Sequence, residues 1–312
     1  MFLEKAFRGE NNRWYIYLLT VLLVFTFMSL GSLPAALYSG WRTGNVAIEI
    51  RPDSAVGLAL VLGSFIVALA TLFMGVKYLH GKRFVDTCSG RDRFDIKRCL
   101  FAMAAWGGVS VLAMAIQYAV GFHASLRFQF ELLPFLSTGV VVLLFLPFQV
   151  AWEECMFRGY LMQGFAALFK YRWIPLVLTS LIFGLMHGSN PEIEQFGFWT
   201  AMPQYVLMGV ILGYVAIKDD GIELALGLHF ANNLLAALLV THESSALQTR
   251  ALFVDTHPTS SHWDTLVILT CGIFFIWLCN KKYHFISNNN LCKKIPRQGN
   301  YPPDSSTNFR II

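Results

Sequence analysis

The chain has 312 residues, of which 55% are hydrophobic and only 14% are charged, and its formal net charge is +5. A soluble domain carries about 25% charged residues, so this composition excludes an ordinary soluble protein and indicates one that crosses a membrane several times. The basic residues form no patterned face, and we therefore expect no nucleic-acid partner.

Stretches without charged residues recur along the chain, and each is long enough for a membrane helix or close to it. A bilayer core needs roughly 20 apolar residues per helix. The charge-free windows are Trp14–Trp41, Ser54–Val76, Cys99–Leu126, Leu132–Trp152, Trp173–Pro191, Gln195–Ile217, Leu224–His242 and Thr265–Asn280. These windows predict an all-α, polytopic membrane protein with about eight transmembrane helices, embedded in the lipid bilayer.

The lysine and arginine residues predict the orientation of these helices. With eight spans and an inner N-terminus, 19 of the 24 Lys and Arg residues fall on inner segments. Outer loops hold only Arg42, Arg51, Arg127 and Arg250, while Arg158 lies inside the membrane. Because positive charge accumulates on the cytoplasmic side, we expect both termini in the cytoplasm and the protein in the inner (plasma) membrane.

The segments between the windows suggest a division of the chain. We expect an N-terminal scaffold of three helices (1–135), a catalytic core of four helices (136–240), an outer loop with the last helix (241–286) and a disordered basic tail (287–312). Within these, Phe2–Arg13 predicts a short interfacial helix and Lys77–Arg98 a solvated basic loop, while the outer loop His242–Trp263 is polar without a recognisable pattern. None of the six cysteines lies in an outer loop, so no structural disulfide is expected.

Three charges interrupt the fourth apolar segment, at Glu153, Glu154 and Arg158. Each costs about 2.5–3.5 kcal/mol or more at the centre of a spanning helix, so such residues are usually paired and functional. Glu154 and Arg158 are four residues apart on one helical face, in the order that favours an ion pair. Glu153 points about 100° away and has no cation nearby in the sequence. We therefore interpret Glu153 as the reactive carboxylate and Glu154–Arg158 as a structural pair.

Two further polar pairs follow on later spans, each at the four-residue spacing of one helical face. Phe183 and His187 lie on the fifth span, and His229 and Asn233 on the seventh. Counted along the helices from the cytoplasmic end, His187 lies about 21 Å deep and Glu153 about 24 Å deep, whereas His229 lies only about 10 Å deep. The shallow position of His229 indicates either a cavity open to the cytoplasm or a seventh span that starts late.

Simpler interpretations remain for each residue alone. A single membrane histidine is often a packing residue, and an asparagine often only bonds across helices. Trp152, Phe157 and Phe183 are interpreted as packing residues. Two histidines with a glutamate also form a conceivable zinc ligand set, so a metalloprotease is a minority alternative to a site without any cofactor.

These motifs resemble those of the CPBP intramembrane protease family, also called the type II CAAX prenyl endopeptidase or Abi family. The family pattern is Glu-Glu-x-x-x-Arg, Phe-x-x-x-His and His-x-x-x-Asn/Asp on successive membrane helices, and it spans roughly Leu136–Val240 here. The resemblance implies that Glu153 and His187 activate a water molecule. It also implies that His229 and Asn233 stabilise the oxyanion, while Glu154 and Arg158 hold the fourth helix.

The predicted function is an intramembrane endopeptidase that cleaves a membrane-associated peptide or protein in a cavity open to the cytoplasm. Eukaryotic members of the family trim prenylated C-terminal peptides, but the compact chain is typical of a bacterial protein, for which such substrates are not expected. Buried Glu, Arg and His also occur in ion-coupled transporters. A transporter and an immunity-type binding protein that lacks turnover are therefore the alternatives.

Overall fold

The computed structural model describes residues 1–44, 54–121, 125–169, 171–247, 249–285 and 290–295. The α-helices are α1 (Trp14–Gly31), α2 (Leu33–Thr43), α3 (Ala55–Met74), α4 (Phe84–Cys88), α5 (Ile96–Ala119), α6 (Leu132–Glu154), α7 (Met162–Leu168), α8 (Trp173–Met186), α9 (Pro191–Phe196), α10 (Phe198–Lys218), α11 (Glu223–Leu238) and α12 (His262–Tyr283). A 3₁₀ helix forms at Leu3–Phe7, and π-helical segments follow α3 (Gly75–Leu79) and α6 (Cys155–Leu161).

Every predicted window contains a helix, which confirms the all-α polytopic fold. In the described ranges, six continuous helical stretches are long and apolar enough to cross a membrane. The helices of the two remaining windows, α8 with 14 residues and α11 with 16, reach only about 21 and 24 Å at 1.5 Å per residue, less than the ~30 Å of a bilayer core. The two histidine motifs therefore belong to helices shorter than a bilayer core, with His187 directly after the last residue of α8.

A small sheet lies at one end of the helical bundle, which we call the loop end. Its strands are β1 (Leu126–Phe128), β2 (Val240–Thr241) and β3 (Phe253–Asp255), in the order β1-β3-β2. β1 pairs antiparallel with β3, and β2 pairs parallel with it. The segment His242–Trp263 therefore contributes a strand that ties the ends of α5 and α11 together, a structure that its polar sequence does not predict.

The opposite end, which we call the terminal end, holds the N-terminus and the residues that follow α12. The Arg172 guanidinium donates to Glu4 at 3.4 Å, and the Trp173 amide donates to the Leu291 carbonyl at 3.2 Å. The N-terminal segment forms the predicted short helix only at Leu3–Phe7, and Phe2, which precedes it, is buried in the hydrophobic core at 1% exposure. Of the tail predicted to be disordered, residues 290–295 contact α8 in this way, and the remainder lies outside the described residues.

The basic loop between α3 and α5 is solvated only in part: Lys77, Arg83, Arg93 and Lys97 are exposed as predicted, but the segment Asp86–Ser89 is buried. Its centre is Asp86, at 2% exposure, which binds Lys5 (2.8 Å), Arg8 (3.2 Å) and Arg83 (2.9 Å). Lys82 donates to Gln163, which donates in turn to the backbone of Phe2 and Asp86. We call this group the polar cap; its members are Lys5, Arg8, Lys82, Arg83, Asp86 and Gln163.

A second buried ion cluster explains why α11 begins beneath the surface of the bundle. Glu223, the first residue of α11, is fully buried and binds Arg91 with its Oε2 at 2.6 Å. Arg91 also contacts Asp219 at 3.2 Å, and Arg98 binds the same carboxylate. Because both acids have cationic partners from the loop and α5, the short seventh span starts inside the protein. Of the two explanations for the shallow position of His229, the structure thus supports the late start of the seventh span.

Close backbone contacts determine how far two helical segments are shifted along their axes relative to their neighbours. One segment carries the Glu154–Arg158 pair and the other carries His229. A Cβ atom on Gly227 of α11 would lie 2.1 Å from the Cys99 carbonyl oxygen of α5. A Cβ atom on Gly159 would lie 2.7 Å from the Thr87 carbonyl oxygen. Such distances are far below van der Waals contact, so only glycine allows these approaches. They position the motif of α11 and the π-helical segment after α6.

Asp86→Asn is expected to destabilise the protein, because three cations then lose their shared carboxylate. Breaking a buried ion pair by removing one partner costs about 3–5 kcal/mol, and thermal unfolding in detergent would measure the loss. Asp92→Asn, whose side chain is 92% exposed, is the matched control and should leave the unfolding temperature unchanged. An equal effect of both variants would contradict the importance of the polar cap.

The same carboxylate makes stability depend on acidity. Although burial raises the pKa of Asp86, hydrogen bonds from Arg83 and Lys5 outweigh it and lower that pKa from 3.8 to about 2. A depressed folded-state pKa stabilises the fold above pH 3.8, and this contribution disappears as the pH falls towards 2. The difference in stability between wild type and Asp86→Asn should therefore shrink over that pH range.

Candidate active site

The fully buried carboxylate of Glu154, at the end of α6, accepts two hydrogen bonds on one oxygen. Arg158 Nη1 lies 2.8 Å from Glu154 Oε1, as the four-residue spacing predicts. His229 Nδ1 of α11 lies 2.7 Å from the same oxygen. The predicted pair is thus a triad that joins α6 to α11, and Arg158 also lies 4.0 Å above the ring of Phe183. Phe183 therefore contacts a charged group in addition to its packing role.

The neighbouring carboxylate, Glu153, faces a different set of groups. Its Oε1 accepts a hydrogen bond from Gln149 Nε2, one turn earlier on α6. Its Oε2 lies 3.7 Å from His229 Nε2, and this buried atom has no hydrogen-bond partner among the described residues. Glu153 is 6% exposed. One carboxylate oxygen is therefore oriented by the protein, and the other is available to a bound molecule.

His187 follows the last residue of α8, and three contacts define the orientation of its ring. Its Nδ1 lies 2.7 Å from the Phe183 carbonyl oxygen, which identifies Nδ1 as the protonated nitrogen. The ring stacks on Tyr205 of α10 at a centroid distance of 4.6 Å and contacts the Phe183 ring at the same distance. The unprotonated Nε2 then remains as a proton acceptor.

Asn233 completes the cluster on α11 and links the side chains around it. Its Nδ2 lies 3.3 Å from Gln149 Oε1 and 3.2 Å from His229 Nε2. Asn232 donates to its Oδ1 at 3.3 Å. Since Nδ1 of His229 donates to the carboxylate of Glu154, Nε2 of the neutral ring is the acceptor for the Asn233 amide.

These groups line a cavity of about 640 Å³, which we call the central cavity. Glu153, His187, His229 and Asn233 all face it, whereas Glu154 and Arg158 are buried behind it. One wall is apolar and comes from α1 and α3, with Phe25, Met28, Val61, Leu62 and Phe65 among its side chains.

The central cavity reaches the surface at the loop end. Its outer lining includes Glu192, His242, Ser245 and Leu247, which belong to α9 and to the segment after β2. The cavity and the termini lie at opposite ends of the bundle, so the predicted cytoplasmic opening and the predicted cytoplasmic termini are not compatible with each other. The prediction of a cytoplasmic opening assumed that α11 starts at the surface, but Glu223 is buried under Arg91.

All six predicted site residues meet in this cluster, but their contacts differ from the prediction in two ways. His229, rather than His187, is the histidine that contacts the glutamates. Two members, Gln149 and Tyr205, are absent from the prediction. Gln149 had a usable signal, because it precedes Glu153 by one helical turn. Tyr205 had none, since its role depends on how α10 packs against α8.

No metal-binding group of three His, Cys, Asp or Glu side chains is found in the described parts of the chain. The six cysteines are free thiols. Cys88 and Cys155 nevertheless lie close together, with their sulfur atoms 3.4 Å apart.

Comparisons with known proteins agree with the motifs. The chain is 24% identical over 281 residues to the "Uncharacterized protein YyaK" of Bacillus subtilis (strain 168), an alignment that covers 87% of this chain and 92% of that protein. No solved structure matches the chain. The family model described as "Type II CAAX prenyl endopeptidase Rce1-like" matches residues 134–235, which include every side chain of the cluster from Gln149 to Asn233. This multi-pass membrane protein therefore carries a domain of the Rce1-like type II CAAX prenyl endopeptidase family at residues 134–235.

Proposed function

We propose that the protein is an intramembrane endopeptidase that hydrolyses a peptide bond of a membrane-associated peptide or protein. The observation that carries this proposal is the convergence of Glu153, His187, His229 and Asn233 on one cavity within a peptidase-family domain. Peptide hydrolysis needs a base for water, a stabiliser for the oxyanion and a proton for the leaving amine. The cluster supplies a candidate for each role.

Water activation is assigned to Glu153 and His187. The free Oε2 of Glu153 and the free Nε2 of His187 are both proton acceptors that face the central cavity. A water molecule held there loses a proton to Glu153 as its oxygen attacks the scissile carbonyl carbon. The Gln149 amide holds the other oxygen of Glu153 and so keeps this carboxylate in its orientation.

The developing oxyanion is assigned to His229 and Asn233. The Asn233 amide donates to Gln149 and to His229, so one of these bonds has to be exchanged for the substrate oxygen. His229 can donate from Nε2 only as an imidazolium. The 3.7 Å between Glu153 Oε2 and His229 Nε2 is a short path for the proton taken from water, and Glu154 stabilises the resulting positive charge. The same proton then reaches the leaving nitrogen, which completes the addition of water across the bond.

The remainder of the chain is proposed to shape access to this site. We retain the division into a scaffold (1–135), a core (136–240), the loop with the last helix (241–286) and the tail (287–312). The scaffold is more than a support, because α1 and α3 form the apolar wall of the central cavity. An apolar substrate segment in contact with that wall would place its neighbouring peptide bond beside Glu153.

We also propose that the termini lie in the cytoplasm of a bacterial cell, since the terminal end carries most of the Lys and Arg residues. The central cavity then opens towards the extracytoplasmic side. This orientation replaces the cytoplasmic opening expected from the sequence.

Glu153→Gln and His187→Ala are each expected to lower cleavage by about 10²–10⁴-fold, because each removes a proton acceptor at the attacking water. The assay is cleavage of a membrane-tethered reporter peptide by purified protein in liposomes. His262→Ala, at an exposed histidine away from the cavity, is the control. Full activity of either site variant would overturn the mechanism. Chelators should leave wild-type cleavage unchanged, whereas inhibition reversed by zinc would favour the metalloprotease alternative.

Gln149→Leu is expected to lower kcat about 10–100-fold with a smaller effect on KM. The change removes one hydrogen bond to a carboxylate, worth about 1.5–3 kcal/mol, and releases Asn233 from α6. Steady-state kinetics on the same reporter measures the effect, and the unfolding temperature shows whether the variant is folded. Unchanged kcat in a folded variant would mean that Gln149 does not position Glu153.

The proposed orientation can be tested by cysteine labelling in intact cells. Ala246→Cys introduces a thiol at an exposed position of the loop end, and the native Cys292 is exposed at the terminal end. A membrane-impermeant maleimide added outside the cells should label the residue at 246 and should reach Cys292 only after the cells are broken. The reverse pattern would place the termini outside.

A further inference from the structure

A second cavity lies beside the central cavity, and the proposed mechanism leaves it unused. This side cavity has a volume of about 480 Å³, within the range of about 300–1,000 Å³ that is usual for ligand sites. Its walls are the halves of α5, α10 and α12 nearest the loop end, with Trp106, Gln117, Gln204 and Asp264 among the lining residues.

The two cavities are adjacent, because both are lined by Glu192, Tyr205, Met208, Asn232, Val240 and His242. Two of these residues contact the cluster directly. Tyr205 stacks on His187, and Asn232 donates to Asn233 at 3.3 Å. An extended peptide advances about 3.3 Å per residue, so a substrate with its scissile bond at Glu153 extends into the side cavity within a few residues.

The side cavity is negatively charged. Glu192, Asp255 and Asp264 line it, and no Lys or Arg is found among the described residues that line either cavity. Backbone amides hold the acids in place: Ala246 donates to Glu192 Oε1 at 2.7 Å, and Ser261 donates to Asp264 at 2.7 Å. Burial lowers the pKa of His242, so its imidazole carries less positive charge than an exposed histidine would.

Two carboxylate oxygens that line these cavities have no hydrogen-bond partner within the described ranges. One is Oε2 of Glu192, which lines both cavities, and the other is Oε2 of Glu153, which lines the central cavity alone and whose side chain is more than nine-tenths buried. Carboxylate oxygens in a partly desolvated cavity need donors. An extended peptide that occupies both cavities supplies them, by way of a bound water at Glu153 and a cationic side chain at Glu192.

We propose that the side cavity is the substrate subsite on one flank of the scissile bond, and that it selects a peptide segment carrying Lys or Arg, with Glu192 as the counter-charge. This inference rests on the proposed function and adds its substrate class. The preferred substrate combines an apolar, membrane-embedded segment against α1 and α3 with a basic segment towards the loop end. A free C-terminal carboxylate beside the scissile bond is disfavoured by the same negative charges.

The test measures peptide binding separately from cleavage. Full-length protein carrying Glu153→Gln is placed in nanodiscs, so that bound peptides stay intact. The probes are fluorescent peptides with a short Leu/Ala segment followed by a polar tail, in which one position at a time is Lys, Gln or Glu. At the position that reaches the side cavity, we expect the Lys peptide to bind more tightly than the Gln peptide and the Glu peptide to bind least tightly.

Glu192→Gln added to this protein is expected to reduce the Lys-to-Gln ratio of binding constants about tenfold, since it removes one charge partner while an oxygen still accepts from Ala246. Glu194→Gln, an exposed acid on the same short helix that lines neither cavity, should leave the ratio unchanged. Glu192→Lys should invert the preference towards the Glu peptide.

Each outcome decides between the possibilities. Binding without a preference for Lys, a preference that Glu192→Gln does not change, or no peptide binding at all would overturn the inference. A Lys preference that depends on Glu192, found in a protein whose wild type cleaves none of the peptides, would support the subsite and count against the peptidase activity alone.

Discussion

The carboxylate of Glu154 is the contact on which the arrangement of the site depends. Its Oε1 accepts from Arg158 at 2.8 Å and from His229 at 2.7 Å, so one buried oxygen joins α6 to α11. Each ion buried without a partner would cost several kcal/mol, which strongly favours this geometry. The bond also determines which nitrogen of His229 is protonated, and it directs the other nitrogen towards Glu153 and Asn233. Glu154 therefore needs no contact with substrate to be important for the chemistry.

Residues at the terminal end support the triad of Glu154, Arg158 and His229. Arg158 belongs to the π-helical segment Cys155–Leu161, whose extra residue per turn rotates the following helix relative to an α-helix. The buried part of the loop between α3 and α5 packs against this segment through the approach of Thr87 to Gly159 and through Cys88, which contacts Cys155. The polar cap anchors the loop in turn, because Asp86 binds Lys5 of the N-terminal segment. A set of ion pairs at the terminal end thus supports the buried glutamate cluster to which the proposed chemistry is assigned.

The sequence predicts the features that have a periodic or energetic signal. Apolar windows predict the helices, because a long apolar stretch is unfavourable in water. Charges inside those windows predict the cluster, because a buried charge is unfavourable without a partner. The buried part of the loop and the N-terminus were not predictable in this way, since the positive-inside rule counts Lys5 and Arg83 without identifying Asp86 as their partner. Gln149 carries no charge, so it is harder to recognise in an apolar window than Glu153 or Glu154. The late start of α11 depends on the buried Glu223, whose compensating Arg91 is 132 residues away.

Hydrolysis inside a bilayer requires a site that is apolar enough to accept a membrane segment and yet supplied with water. The central cavity combines both properties, because α1 and α3 provide an apolar wall, while Glu192, His242 and Ser245 surround a polar opening at the loop end. The terminal end has no comparable route through the described residues, since Arg158, Met156 and Tyr160 are buried beneath the glutamates. Under the proposed function, water and the polar part of a substrate therefore arrive from the same side. That constraint is the physical reason for expecting a substrate with an apolar half and a polar half, with the scissile bond at their boundary.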